Sequence, residues 1–392
     1  MYGAPVATRV GTAIAIALIV VTLLVTAITV AGGQATDRDA DAVPILSGSA
    51  RRPPTGDLLL SLPQSRGASQ LFVVPVDGTD PHPLIPGDVV SGIQAEAAWS
   101  PDGSQVAFTV QEGSARDIYV VNADGTNLRQ LAPVDRSIQV PPDWVISQQS
   151  PAWSPDGTAI AFSSNQAVDH GGQDIYVVNA DGSNLRRLTD DAIWEFSPRW
   201  SPDGSQIAIE AYDPGSRGDY GRIYVMNADG SYRRRLTELT GARDPNWSPD
   251  GQSIAFTAGR ISSTLHLVRA DGSDARELSP TSMTARWPRW SPNGSMLAWT
   301  AHDAGGSLDG VVVLDVRAGT TRHVSILSGV IEWSGDGEWI AIAVPEINPS
   351  GQETGQGGLY LIRPDGSEQI AMMDIALDEY DVMLDWSGAA AN

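Results

Sequence analysis

The sequence has no cysteine, and its 25 basic residues are all arginine, with no lysine at any position. The first absence excludes disulfides, thiol nucleophiles and cysteine-ligated zinc. The second excludes Schiff-base chemistry, pyridoxal phosphate attachment and a phosphate-loop lysine. The five histidines, His82, His170, His266, His302 and His323, are scattered, and no two share a metal-ligand spacing. No G-x-S-x-G pentapeptide occurs, so the serine hydrolase elbow is missing. No cofactor and no metal is therefore expected. Positive charge is scarce as well: the net charge of −22 leaves nucleic acid and anionic lipid as poor partners.

What is present begins with a single long apolar run. "VGTAIAIALIVVTLLVTAITVAGG", Val10 to Gly33, carries no charge. At ~1.5 Å per residue it is long enough to cross the ~30 Å hydrocarbon layer as a helix. Arg9 precedes it and Asp37, Arg38, Asp39 and Asp41 follow. The positive-inside rule then puts residues 1–9 in the cytoplasm as a stub, 10–31 in the membrane, and the rest outside. The rival reading is a cleaved signal peptide, although apolar cores of signal peptides are usually shorter, about 7–15 residues. Residues 32–56 are polar and read as a flexible tether.

The rest of the chain repeats itself. WSPDG occurs at Trp99, Trp153, Trp200 and Trp247, with WSPNG at Trp290 and WSGDG at Trp333. About twenty residues after the Trp comes a second piece: "DIYVVNADG" at Asp117 and Asp174, "RIYVMNADG" at Arg222, "LHLVRADG" at Leu265. Weaker copies start at Val311 and Leu359. Short apolar runs separated by Pro-Asp-Gly and Ala-Asp-Gly turns read as four antiparallel strands per unit. The tryptophans fall 43–54 residues apart, the period of a four-stranded propeller blade. The tryptophans are read as filler between blades and the PDG as a hairpin turn, not as catalytic groups.

Six complete units leave two remnants. "DLLLSL", "QLFVVPVDG" and "HPLI" supply second, third and fourth strands near the start, and "DVMLDWSG", with Trp386, supplies a first strand at the end. Joined, they make a seventh blade with a 3+1 closure, which leaves the ring without an open edge. The expected fold is all-β, a seven-bladed propeller over 57–388 with a short tail at 389–392, preceded by one transmembrane helix.

These units resemble the TolB-type, WD-repeat-like propeller repeats found in TolB and in the propellers of prolyl-oligopeptidase-like and tricorn-like peptidases. The resemblance implies the architecture and a general expectation of partner binding. It is not a resemblance to TolB as a whole: TolB has an α/β domain before its propeller, six blades where seven are read here, and no membrane anchor.

The candidate site lies on the innermost strands. The residue before each Trp should face the central channel. In five successive blades that residue is polar or charged: Arg199, Asn246, Arg289, Glu332 and Asp385. They read either as a ligand- or peptide-binding ring, with Arg199 and Arg289 gripping carboxylates, or as mutual ion pairs around channel water. A long connection from Ala132 to Ser150 carries Val140, Trp144, Val145 and Ile146 and is a candidate partner loop. A second long stretch starts at Pro345 and is expected on the same face. The expected role is a membrane-anchored, extracytoplasmic scaffold, periplasmic or extracellular, that binds an envelope protein or peptide without catalysis. The alternative is a glycan-acting hydrolase or lyase using Glu332 and Asp385 as acid and base. A sensor that signals through another chain is the third reading.

Overall fold

The structure is a computed structural model. It describes residues 55–387, apart from 64–68, 86–91, 113–114, 134–145, 168–171, 213–220, 261, 280–282, 304–309, 346–356 and 375–383. The expected membrane segment 10–31 and the tether, up to residue 54, lie outside the described residues, as do Val140, Trp144 and Val145. Among the described residues no helix is long and apolar enough to cross a membrane.

The described elements are strands alone, and they form seven blades of four antiparallel strands. The innermost strands of blades one to seven are Ile93–Trp99, Gln148–Trp153, Trp194–Trp200, Arg243–Trp247, Met283–Trp290, Val330–Trp333 and Leu384–Trp386. Blade seven has the 3+1 construction. Leu384–Trp386 pairs antiparallel with Asp57–Pro63, Leu58 opposite Trp386, and Asp57–Pro63 pairs with Ser69–Pro75. A single parallel pair, Ser69 with Ile93, also joins blade seven to blade one. Around it, Gln94 accepts hydrogen bonds from the hydroxyls of Ser61 and Ser69 and from the Leu71 N–H.

The recurrent residues have recurrent jobs. Seven apolar clusters occupy the seven blade interfaces. Between blades one and two, Ala107, Ile118 and Val120 meet Trp153, Ile160 and Phe162. Between three and four, Ala208, Ile223 and Val225 meet Trp247, Ile254 and Phe256 in the same arrangement. The second-strand alanine is small because the next blade's tryptophan lies against it, and close packing leaves no slack there. The indole N–H then bonds the preceding blade's innermost strand. Trp153 donates to the Ala98 carbonyl, Trp200 to Ala152, Trp247 to Arg199 and Trp333 to Arg289, at 3.0–3.1 Å. The buried indole nitrogens of Trp99 and Trp290 find no partner among the described residues.

The WSPDG turn is also structural. In blade three Ser201 Oγ donates to Asp203 Oδ1 (2.6 Å) and accepts the Gln206 N–H (2.9 Å), while the Gly204 N–H closes the turn on the Ser201 carbonyl. These bonds hold the Asp203 carboxyl below its ordinary pKa, the Ser201 hydroxyl most of all, and Asp102, Asp156 and Asp250 are held likewise. Ser201 is buried. Ser201→Ala is expected to cost about 1–2 kcal/mol through the lost acceptor, measured as a lower urea midpoint at unchanged m-value. An unchanged midpoint would show the hydroxyl to be dispensable.

The arginines at the outer edges of the blades do more than charge those edges. Arg129 reaches the Ala180 carbonyl in the next blade's hairpin (2.5 Å), and Arg234 reaches the Ala270 carbonyl in the same way. Arg233 pairs with the buried Glu195 and with Asp191 and lies over the Tyr224 ring. Arg129 and Arg234 thus tie one blade to the next, and Arg233 braces blade three internally.

Candidate functional site

The innermost strands converge on a central cavity of about 820 Å³, lined from all seven blades. Arg199, Asn246, Arg289, Glu332 and Asp385 all line it, so the fold brings the five together. It also brings groups that the reading of one residue per blade missed. Glu96, Ser150, Ser197, Asp244 and Trp287 stand three positions before their tryptophans and form a second tier.

That tier exists because the innermost strands of blades one to five are bulged. Their pairing with the second strand shifts just before the Trp. The five residues sit at positive φ, 46–56°, in the left-handed region that non-glycine residues seldom occupy. Blade six pairs without a shift, and Val330 takes the corresponding place. Five β-bulges in a ring re-aim side chains toward the axis. The signal in the sequence was the polar residue at the third position before Trp in blades one to four.

Most of the polar groups in the cavity hold the neighbouring blade. Glu96 accepts the N–H of Ser150 at the bulge of blade two (2.8 Å), and Glu210 accepts that of Asp244 in blade four (2.8 Å). Asn246 accepts the Trp290 N–H (3.1 Å) and Asp385 accepts the Trp99 N–H (2.7 Å). Arg289 pairs with Glu332 across blades five and six (3.0 Å). Burial first, and then the Glu332 charge, push the Asp385 carboxyl up to about 7. Burial and the nearby Asp244 push Glu210 up to about 7.

Arg199 is different. Its guanidinium donates to the carbonyl of its own Pro198 (3.2 Å) and has no carboxylate within ion-pair distance among the described residues. Burial, followed by the like charge of Arg289, lowers its pKa. The half-buried Arg286 also lines the cavity, its guanidinium 5.9 Å from the Trp287 ring centroid and with no carboxylate partner among the described residues. His302 stands one residue before the end of the second strand of blade five and meets the Ser328 hydroxyl at 3.2 Å. Among the described residues no group of three or more His, Cys, Asp or Glu could hold a metal ion. Of Val140, Trp144, Val145 and Ile146 in the candidate partner loop, only Ile146, which is partly buried, is described, and the end of that connection, from Gln148, is already the innermost strand of blade two.

No protein-family model matches the sequence, and no curated protein sequence matches it. Solved structures do match. An oligogalacturonate lyase in complex with manganese is similar with a TM-score of 0.58 at 15% identity, over 78% of this chain and 85% of that one. A puromycin-hydrolyzing peptidase of Mycobacterium tuberculosis is similar with a TM-score of 0.60 at 14% identity, over 82% of this chain and 54% of that one. This chain thus spans about half of the peptidase. TolB from Acinetobacter baumannii is similar with a TM-score of 0.50 at 16% identity, over 81% of this chain and 79% of that one. Likeness at such identities is likeness of fold, and one fold serves unrelated activities. In fold the chain is a seven-bladed β-propeller of the TolB type, distinct from TolB itself.

Proposed function

We propose that this chain is a binding propeller, held at a membrane by residues 10–31 with the blades outside the cytoplasm. It captures a peptide or a protein segment at the mouth of the central cavity. The observation that carries the reading is the cavity itself. It is large, lined from every blade, and holds a guanidinium with spare donors among groups otherwise engaged in bonding the blades together. Concave sites with a few convergent polar groups are where propellers and other folds take ligands. The charge-free run from Val10 to Gly33 supports the anchor.

The test is photo-crosslinking in membranes with the full chain, the reactive residue replacing Ser197 in the cavity or Tyr232, which is 84% exposed in a hairpin turn. Adducts with envelope peptides or proteins are expected from position 197 and not from 232. Adducts from 232 alone would sink the reading.

The enzyme reading keeps one specific support. Asp385, pushed up to about 7, lies near Glu332, which pairs with Arg289, so two carboxyls in different surroundings share the cavity, as acid and base require. Turnover of an oligouronate that Glu332→Gln abolishes would favour it.

A further inference from the structure

We propose that the cavity is selective for a single carboxylate, the free C-terminal carboxylate of a peptide, which docks on Arg199 with Arg286 as the second contact. This rests on the peptide-binding reading and narrows it.

The cavity holds unused hydrogen-bond donors. A guanidinium presents five N–H donors and pairs with a carboxylate through two parallel bonds. Arg289 already spends its Nε on Glu332. Arg199 spends one donor on its own backbone. Arg286 makes no hydrogen bond or ion pair among the described residues, only its approach to Trp287. Arg199 is on blade three, and Arg286 and Trp287 are on blade five, all lining one cavity. Between them, Asp244 and Asn246 of blade four face the same cavity. Arg199 is partly buried, and Glu210, Asp244 and Glu332 act on it from beyond ion-pair distance. A partly desolvated cation with no direct partner is costly, and an incoming carboxylate would relieve that cost. The Trp287 ring, held at positive φ by its bulge, offers an apolar face beside the charges.

The ligand is limited to one negative charge by its surroundings. Three guanidiniums, those of Arg199, Arg286 and Arg289, share the cavity with five carboxyls, those of Glu96, Glu210, Asp244, Glu332 and Asp385. The whole chain carries −22. A polyanion such as an oligouronate, with one carboxylate per sugar, is repelled by the net charge of the chain. A peptide end brings one carboxylate to the arginines and leaves its neutral backbone for the polar tier.

The experiment uses the full chain in detergent and two octapeptide pools of the same random composition, one with free carboxyl ends and one amidated. Retained peptides are counted by mass spectrometry after filtration, with trigalacturonate tested in parallel. The free-acid pool is expected to be retained at least ~10-fold better, a ratio equivalent to tenfold in affinity. Arg199→Gln and Arg286→Gln, each checked for an unchanged melting curve, should erase that preference. Arg235→Gln, on the exposed outermost strand of blade three, should leave it intact. Equal retention of both pools overturns the carboxylate assignment and leaves peptide binding standing. Enrichment of Asp- and Glu-containing peptides from both pools moves the carboxylate from the chain end to a side chain, and so overturns the end-specific part. Retention of trigalacturonate with neither pool retained overturns the peptide reading and this inference together.

Discussion

Trp386→Ala is expected to destabilise the propeller by about 3–5 kcal/mol, the range for removing a large aromatic side chain from a core. Trp386 is 4% exposed and packs with Leu58, Leu60, Ala341, Leu359 and Leu361 at the interface of blades six and seven. Its indole bond also departs from the pattern of the other blades. Instead of reaching the preceding blade's innermost strand, Nε1 donates to the Thr55 carbonyl (3.0 Å), at the start of the described chain. One residue on, the Ser387 N–H donates to the Asp57 carbonyl (2.8 Å), and Ser387 Oγ accepts the Asp57 N–H (2.7 Å). Gly56 lies between these contacts at φ 103°, where a Cβ would come within 2.8 Å of the Trp386 indole nitrogen.

The two ends of the ring are therefore fastened by one indole, one hydroxyl and a three-residue strand. Losing the indole should lower the urea midpoint and expose residues 57–62 to hydrogen exchange before the other blades. Trp247→Ala in blade four is the control. It should cost a similar amount, without preferential exchange at 57–62. If both variants open the ring at the same place, the closure is not the weak seam.

Much of this was legible because the sequence states each blade separately. Trp153, Trp200 and Trp247 each carry their own Ser-Pro-Asp-Gly, so one turn could be read several times over. The leftover strands at either end could be joined by counting alone. The cavity was harder to read. Alternation placed Arg199 and Asn246 at the axis, because that depends on neighbouring residues only. Their partners are set by the ring, which puts Asn246 beside the Trp290 N–H and Asp385 beside the Trp99 N–H, positions 44 and 286 apart in sequence. No local pattern reports such pairs. The bulges were hidden for a different reason. Glu96, Ser150, Ser197, Asp244 and Trp287 adopt positive φ without glycine, so the usual residue cue is missing. The engaged role of Asn246 and Asp385, and the spare donors of Arg199, follow from closure of the ring and not from the composition of any one strand.

The stability of this protein is expected to fall as pH rises from about 4 to about 7, opposite to the usual behaviour of salt-bridged carboxylates. Asp385, Glu210 and Glu195 are each pushed up to about 7, in every case mainly by burial. Unfolded, they titrate near 3.8 for Asp and 4.5 for Glu. Between those values the native protein holds protons that the unfolded chain releases. The slope of unfolding free energy against pH is therefore negative in that window and flattens above it. The charges facing each group are known. Asp385 meets Glu332, which raises it, and Arg289, which lowers it. Glu210 meets Asp244 and Arg199, and Glu195 meets Arg233, Asp191 and Asp174. The turn aspartates act at the other end. Asp102, Asp156, Asp203 and Asp250 have native values below 3.8, so their contribution is lost as pH falls through those values. A stability maximum between the two limbs follows. Asp385→Asn isolates one group, because an amide oxygen can still accept the Trp99 N–H but cannot ionise. Relative to the parent, the variant should gain stability between pH 5 and pH 8 by on the order of 1–3 kcal/mol at ~1.4 kcal/mol per pKa unit. Equal destabilisation at both pH values would mean that the ionised carboxylate, and not the hydrogen bond, holds blade one to blade seven.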